Sequence, residues 1–233
     1  MERRDFLRGC AALAATHAAD LWASAKTLAP HFYARVLLVD PQGAPLRAGA
    51  VPPHTNLVFH YPYAGTPCFL LNLGRPLDGP VRLRTAQGEL YEWRGGVGPG
   101  RSIVAYSAIC AHKLAYPTRQ ISFISYRSER RGANRHANVI HCCAEHSQYD
   151  PAQGGRVLAG PATQPLAAIL LEHDRGRDEL YAVGTLGGEL FGEFFARYEF
   201  RLALEGTADA RRALTGSTVV TELASYCRQR VQC

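Results

Sequence analysis

No part of the 233-residue chain approaches the run of about 20 apolar residues that a membrane-spanning helix requires. The most apolar N-terminal stretch, Gly9 to Ala25, is broken by Thr16, His17, Asp20 and Ser24, so a membrane is expected to be met only through a partner. Charge of one sign is also scarce. Against 26 Lys and Arg stand 20 Asp and Glu, and the resulting +6 suits an acidic partner without calling for nucleic acid. There is no internal repeat or low-complexity tract, no Ser-His-Asp arrangement and no paired-carboxylate site. The glycines of "GGVGPG" and "GTLGGELFG" lack the strand, spacing and helix of a phosphate-binding loop and read as turns. These absences point away from substrate chemistry carried by this chain alone.

Helical periodicity is scarce too, and strands take its place. "FYARVLLVD" (32–40), "TNLVFHYPY" (55–63) and "CFLLNLG" (68–74) are β-rich runs closed by Pro or Gly. "VRLRT", the turn "AQG" and "ELYEWRG" read as a hairpin, and so do "AAILLEHD", "RGRDE" and "LYAVGTLG". "IVAYSAIC" is a further strand. Helix is expected only in the tail, over "TADARRALTG" and "TVVTELASYCRQRV". At 47% hydrophobic the chain can bury its own core. The expected architecture is all-β, a sandwich or open barrel.

The N-terminus carries Arg3-Arg4, then Phe6-Leu7 and Arg8, a modest apolar stretch, and the small-residue sequence Ala23-Ser24-Ala25. This order resembles a twin-arginine export signal over residues 1–25, the other reading being a basic N-terminal helix; such a signal implies a periplasmic protein exported already folded, with its cofactor inserted.

Cysteines fall at 10, 68, 110, 142, 143, 227 and 233. Seven is odd and no small disulfide framework emerges, although Cys227 and Cys233 are a candidate pair. Cys68, at the start of an apolar strand, reads as an inert buried thiol. Cys110 lies two residues before His112 and Cys143 three before His146, with thirty residues between the pairs. Two short ligand pairs on two loops can converge, and two thiolates with two imidazoles suit tetrahedral zinc or an iron-sulfur cluster. Cys142 with His146, a C-x-x-x-H spacing, is a second registry that stays open.

C-x-H followed by C-x-x-H resembles the Rieske iron-sulfur proteins. "IVAYSAICAHK" is similar to the strand and first cluster loop of that family, and "HSQYDPAQGGRVLAGPATQPLAAILLE" to its second loop and following strand. The resemblance implies an antiparallel Rieske-type sandwich over 30–205, with a cluster-binding subdomain at about 103–172, and a short helical C-terminal extension over 206–233. It implies a 2Fe-2S cluster held by Cys110, His112, Cys143 and His146, the family spacing favouring Cys143 over Cys142. Cys142, Ser147 and Tyr149 would then surround the cluster, the last two as hydrogen-bond donors to its sulfurs. "VFHYPYAGTPCFLLNLG" and "AHKLAYP" are similar to the small subunit of arsenite oxidase, which implies an electron-transfer subunit between a larger, molybdenum-containing catalytic subunit and a cytochrome c or cupredoxin.

The chain departs from that pattern. His146-Ser147-Gln148-Tyr149-Asp150 is one residue short, and the positions of the two extra bridging cysteines of quinol-oxidising relatives read as Ala115 and Glu145. Neither can make that bond, which argues against the quinol-oxidising type; a subunit of a quinol-oxidising complex and a zinc-stabilised binding module stay open as alternative readings. Between the loops, Arg127, Arg130, Arg131 and Arg135 form either a solvated excursion or a docking surface for an acidic redox partner.

Overall fold

In the computed structural model the described residues are 26–130, 136–207 and 209–233. The signal expected over 1–25, and with it Cys10, lies outside them, as do Arg131 and Arg135. The first strands are β1 (His31–Val39), β2 (Leu57–His60), β3 (Pro67–Asn72), β4 (Val81–Arg84), β5 (Leu90–Trp93) and β6 (Ile103–Ser107). Then come β7 (Ile121–Ser122), β8 (Ile124–Arg127), β9 (Val139–Cys142), β10 (Ser147–Asp150) and β11 (Arg156–Ala159). The chain continues through β12 (Ala168–Asp174), β13 (Glu179–Leu186), helix α1 (Phe191–Leu204), β14 (Gly216–Val219), β15 (Thr221–Glu222), the helical turn α2 (Leu223–Tyr226) and β16 (Gln229–Arg230).

Eight strands form one sheet in the order β14-β1-β13-β12-β6-β3-β2-β15. Its two edge strands, β14 and β15, are consecutive in the chain, separated only by Val220, so the edges are brought round to each other. Val220 N–H donates to Val39 O at 2.7 Å and Thr218 Oγ1 donates to His60 O at 3.1 Å across this seam. The result is a nearly closed barrel, which covers the edges that an open sheet would leave unpaired. The interior holds Val36, Leu38, Phe59, Tyr61, Leu70, Leu180 and Ala182, all buried. Cys68 belongs to this core, its thiol donating to Tyr61 O at 3.1 Å, and burial pushes its pKa up, as an inert thiol requires.

A smaller antiparallel sheet, β11-β10-β9-β8, and the β4-β5 hairpin pack against the outside of the barrel. Phe69, Val104, Tyr106, Trp93, Ile124, Ile140 and Tyr149 fill the space between them. The turns are built locally: Asp174 Oδ1 accepts from Gly176 N and Arg177 N between β12 and β13, and Asp150 Oδ1 accepts from Ala152 N after β10.

The main helix is not where the tail predicts it; there only the turn α2 (Leu223–Tyr226) is helical. α1 precedes residue 205, and 216–230 are mainly strand, pairing with β1, β2 and β7. These residues are thus built into the sheets and do not form a separate helical extension. The run Ser217-Thr218-Val219-Val220-Thr221 explains the strand, because β-branched side chains pack well on a pleated surface. α1 buries Phe191, Phe194, Phe195 and Leu202, with Tyr198 packed beside them, a helix-period stripe that follows a glycine-rich turn. Its role is local support. Tyr116 stacks edge-on to Phe194 at 4.9 Å, and Leu114 and Ile109 join the same cluster, so the helix braces the segment after Cys110. Among the described residues, no helix is long and apolar enough to cross a membrane.

Candidate metal centre

Cys110 follows β6 and Cys142 ends β9, and both are about 1% exposed in the layer between barrel and small sheet. The Cys142 thiol donates a hydrogen bond to the sulfur of Cys110. That contact, the Tyr149 hydroxyl and the backbone N–H groups of His112 and Lys113 push the Cys110 pKa down to about 6 against the opposing effect of burial. Cys142 moves the other way, because it gives its proton to Cys110 and is itself buried, although Ala144 N–H and Glu145 N–H face its sulfur.

Tyr149, fully buried on β10, links this pair to the backbone. Its hydroxyl accepts from Ala111 N–H at 3.1 Å, which leaves its own proton for the Cys110 sulfur at 3.2 Å. Tyr149 thus stands beside the Cys110 sulfur. Removing the hydroxyl in Tyr149→Phe is expected to lower the midpoint potential of any centre built on Cys110, since a donor to sulfur favours the more negative reduced state. It should also cost about 1–3 kcal/mol of stability by orphaning a buried N–H. Protein-film voltammetry and denaturant unfolding check the two effects.

Two polar atoms at this place are buried without a hydrogen-bond partner, His112 Nδ1 and Ser147 Oγ. A nitrogen and a hydroxyl left over beside two sulfurs make a donor set that suits an iron-sulfur group, because such orphans need a partner. Cys110, His112, Cys142, Ser147 and Tyr149 therefore fit the group that the sequence pattern implies.

Cys143 does not join them. It is disulfide-bonded to Cys233, 90 residues away, with a Cα–Cα distance of 5.7 Å. The reason is strand alternation: successive side chains point to opposite faces, so when Cys142 faces the core its neighbour faces out. The choice of Cys143 over Cys142 is corrected accordingly, and so is the candidate pair Cys227–Cys233, since Cys227 is a free buried thiol. The second loop is tied, through Cys143, to the C-terminus.

His146 also has different neighbours. Its ring lies 5.7 Å from that of His141, and nitrogens of both histidines lie within 4.8 Å of each other and of the Cys233 sulfur. His141 is buried, its pKa pushed down to about 4 by burial, with His146 and Arg127 adding repulsion. Arg127 is half-buried and donates to Val231 O and, at 3.6 Å, to the Cys143 sulfur, so it anchors the tail and is not part of a free basic surface. Glu145 reaches the first loop, where it pairs with Lys113 beside His112, and Lys113 holds its carboxyl below the usual range.

No protein-family model matches the chain. It is 30% identical over 131 residues to the iodate reductase subunit IdrB of Denitromonas iodatirespirans, which covers 56% of this chain and 55% of that protein. The corresponding subunit of Pseudomonas sp. (strain SCT) is 30% identical over 132 residues, covering 56% and 53%. The chain thus spans about half the length of these relatives. Among solved structures it is similar to the soluble domain of Rieske protein II (soxF) from Sulfolobus acidocaldarius, with 27% identity, a TM-score of 0.45, and 66% of this chain and 78% of that one covered.

Proposed function

We propose that the chain is of the Rieske type, holds a 2Fe-2S cluster between the loops at Cys110 and Cys142 and serves as an electron-transfer subunit of a larger oxidoreductase. One observation carries the reading: two sulfurs from separate loops are buried together in contact and collect backbone N–H donors, with the Nδ1 of His112 unpartnered nearby. A buried pair of this kind gains from an ion that replaces its protons.

When bound, the cluster supplies one-electron transfer at a potential set by ligand charge and by hydrogen bonds to sulfur. Cys110 and Cys142 would hold it by sulfur and His112 by nitrogen. Tyr149 would donate to the Cys110 sulfur, and the barrel and α1 support the first loop. The relatives are named as subunits of an iodate reductase, which supports a larger catalytic partner. The sequence resemblance to the arsenite oxidase small subunit supports a molybdenum-containing subunit as that partner and a cytochrome c or cupredoxin as the other. The net charge of +6 suits an acidic surface on either. Export is part of the same proposal: the Arg3-Arg4 signal supports it, and a Cys143–Cys233 bridge belongs to an oxidising compartment.

The test is to express the chain with its native leader, purify it and count iron, acid-labile sulfide and zinc. Iron and sulfide in equal amounts, with a rhombic electron paramagnetic resonance signal after dithionite reduction, is the expected outcome. Zinc without iron would refute the electron-transfer reading.

A further inference from the structure

The two loops that carry the sulfurs are the same hairpin. Cys110 N–H donates to Ala115 O at 2.8 Å, and Cys142 is register partner to Ser147, so each cysteine pairs with the residue five positions on. In each loop the residue four positions after the cysteine has a left-handed backbone, Leu114 at φ 59° and His146 at φ 60°. His146 is therefore the counterpart of Leu114. The Leu114 side chain leaves the sulfur layer for the α1 cluster, and the His146 ring likewise leaves it for His141 and the disulfide.

This conformation is held from outside. A Cβ on Gly160 would lie 2.6 Å from His146 O and 2.6 Å from Ser147 Cα, so the strand after the second loop packs directly on the backbone of this turn. Swinging His146 inward would require the turn to be rebuilt against that contact. Its neighbour faces the other way. Glu145, three positions after Cys142, extends across the mouth of the two loops to Lys113 beside His112. The ion pair uses Oε1, and a carboxylate has a second oxygen to offer.

We infer that Glu145, and not His146, is the fourth protein ligand, so that beside the two cysteine sulfurs the cluster would be held by one imidazole, that of His112, and one carboxylate. The inference rests on the Rieske-type reading above and refines it. Iron accepts carboxylate oxygen readily, as it does imidazole nitrogen. An anionic ligand in place of a neutral one adds negative charge to the centre and lowers its potential, and Lys113 stands where it offsets part of that charge.

The experiment is pulsed electron paramagnetic resonance on the dithionite-reduced full chain labelled with nitrogen-15 histidine, with iron and sulfide counted in parallel. One strongly coupled histidine nitrogen is expected in the wild type and in His146→Ala, with iron retained in both. Glu145→His is expected to show a second coupled histidine nitrogen and a higher midpoint potential, which also guards against a Glu145→Ala variant that simply fails to fold. Two coupled nitrogens in the wild type, one of them lost in His146→Ala, would overturn the assignment while leaving the cluster reading intact. A wild-type chain without iron would remove both.

Discussion

Cys142→Ser is expected to lose its bound iron and Cys143→Ser to keep it. The two residues are adjacent and chemically identical, so only their directions distinguish them. Cys142 ends β9 facing the layer that holds Cys110 and Tyr149, and it is already hydrogen-bonded to the Cys110 sulfur. A serine there offers a hydroxyl that stays protonated near neutral pH and lacks the soft sulfur that iron-sulfur centres select. The backbone N–H groups of Ala144 and Glu145, placed to stabilise a thiolate, would have no anion to serve. Changes to outer partners of a metal site already cost about 10–100-fold in affinity, and loss of a ligand should cost at least as much. Iron and acid-labile sulfide per chain, with the visible absorption of the cluster, measure the effect. Cys143→Ser alters a sulfur engaged with Cys233, so its iron content is expected to match the wild type in freshly purified protein. The reverse pattern, iron lost in Cys143→Ser and kept in Cys142→Ser, would show that the family spacing and not the strand direction identifies the ligand.

The distinction also shows where sequence reasoning reaches its limit. Long strands such as β1, β3, β12 and β13 are legible because apolar runs closed by Pro, Gly or Asp have few other solutions in a chain with little helical period. The strand leading to the first loop was legible for the same reason, since Cys110 and His112 follow it directly and have no rival nearby. The second loop was not. Counting back three from His146 selects Cys143, and that count assumes His146 points at the metal. Its left-handed backbone, which decides otherwise, depends on the β9–β10 register and on Gly160 packed against the turn. Cys233 is still further from view, because a bridge spanning 90 residues depends on where the tail returns. α1 was hidden by the glycine-rich turn before it, although the spacing of Phe191, Phe194, Phe195, Tyr198 and Leu202 carries a helical period that a longer window would have found.

Cys233→Ser is expected to destabilise the oxidised protein by up to about 4–5 kcal/mol, the chain-entropy value for closing a loop of this length. The tail has little else to hold it. β16 and β7 are strands of two residues each, and beyond them Val231 N–H donates to Ser122 O at 2.9 Å while Val231 O accepts from Arg127. The bridge thus fastens the last residues to the position next to Cys142, so the ordering of the second loop and the docking of the C-terminus are one event. Cys143→Ser should cost about the same as Cys233→Ser, and the double variant no more than either, because all three remove one cross-link. Urea unfolding of the four proteins checks this, with a reductant arm in which wild type falls toward the level of the variants. Equal midpoints for oxidised wild type and Cys233→Ser would show that the bridge does not form in solution. If the two single effects summed in the double variant, the cysteines would contribute separately and not as a pair. Because the bridge attaches at the residue beside Cys142, its loss should also broaden the distribution of loop geometries, seen as wider lines in the reduced-state resonance spectrum of Cys233→Ser with iron content unchanged. That outcome would give the disulfide a second role, as the brace for the second loop that the absent loop-to-loop bridge does not supply.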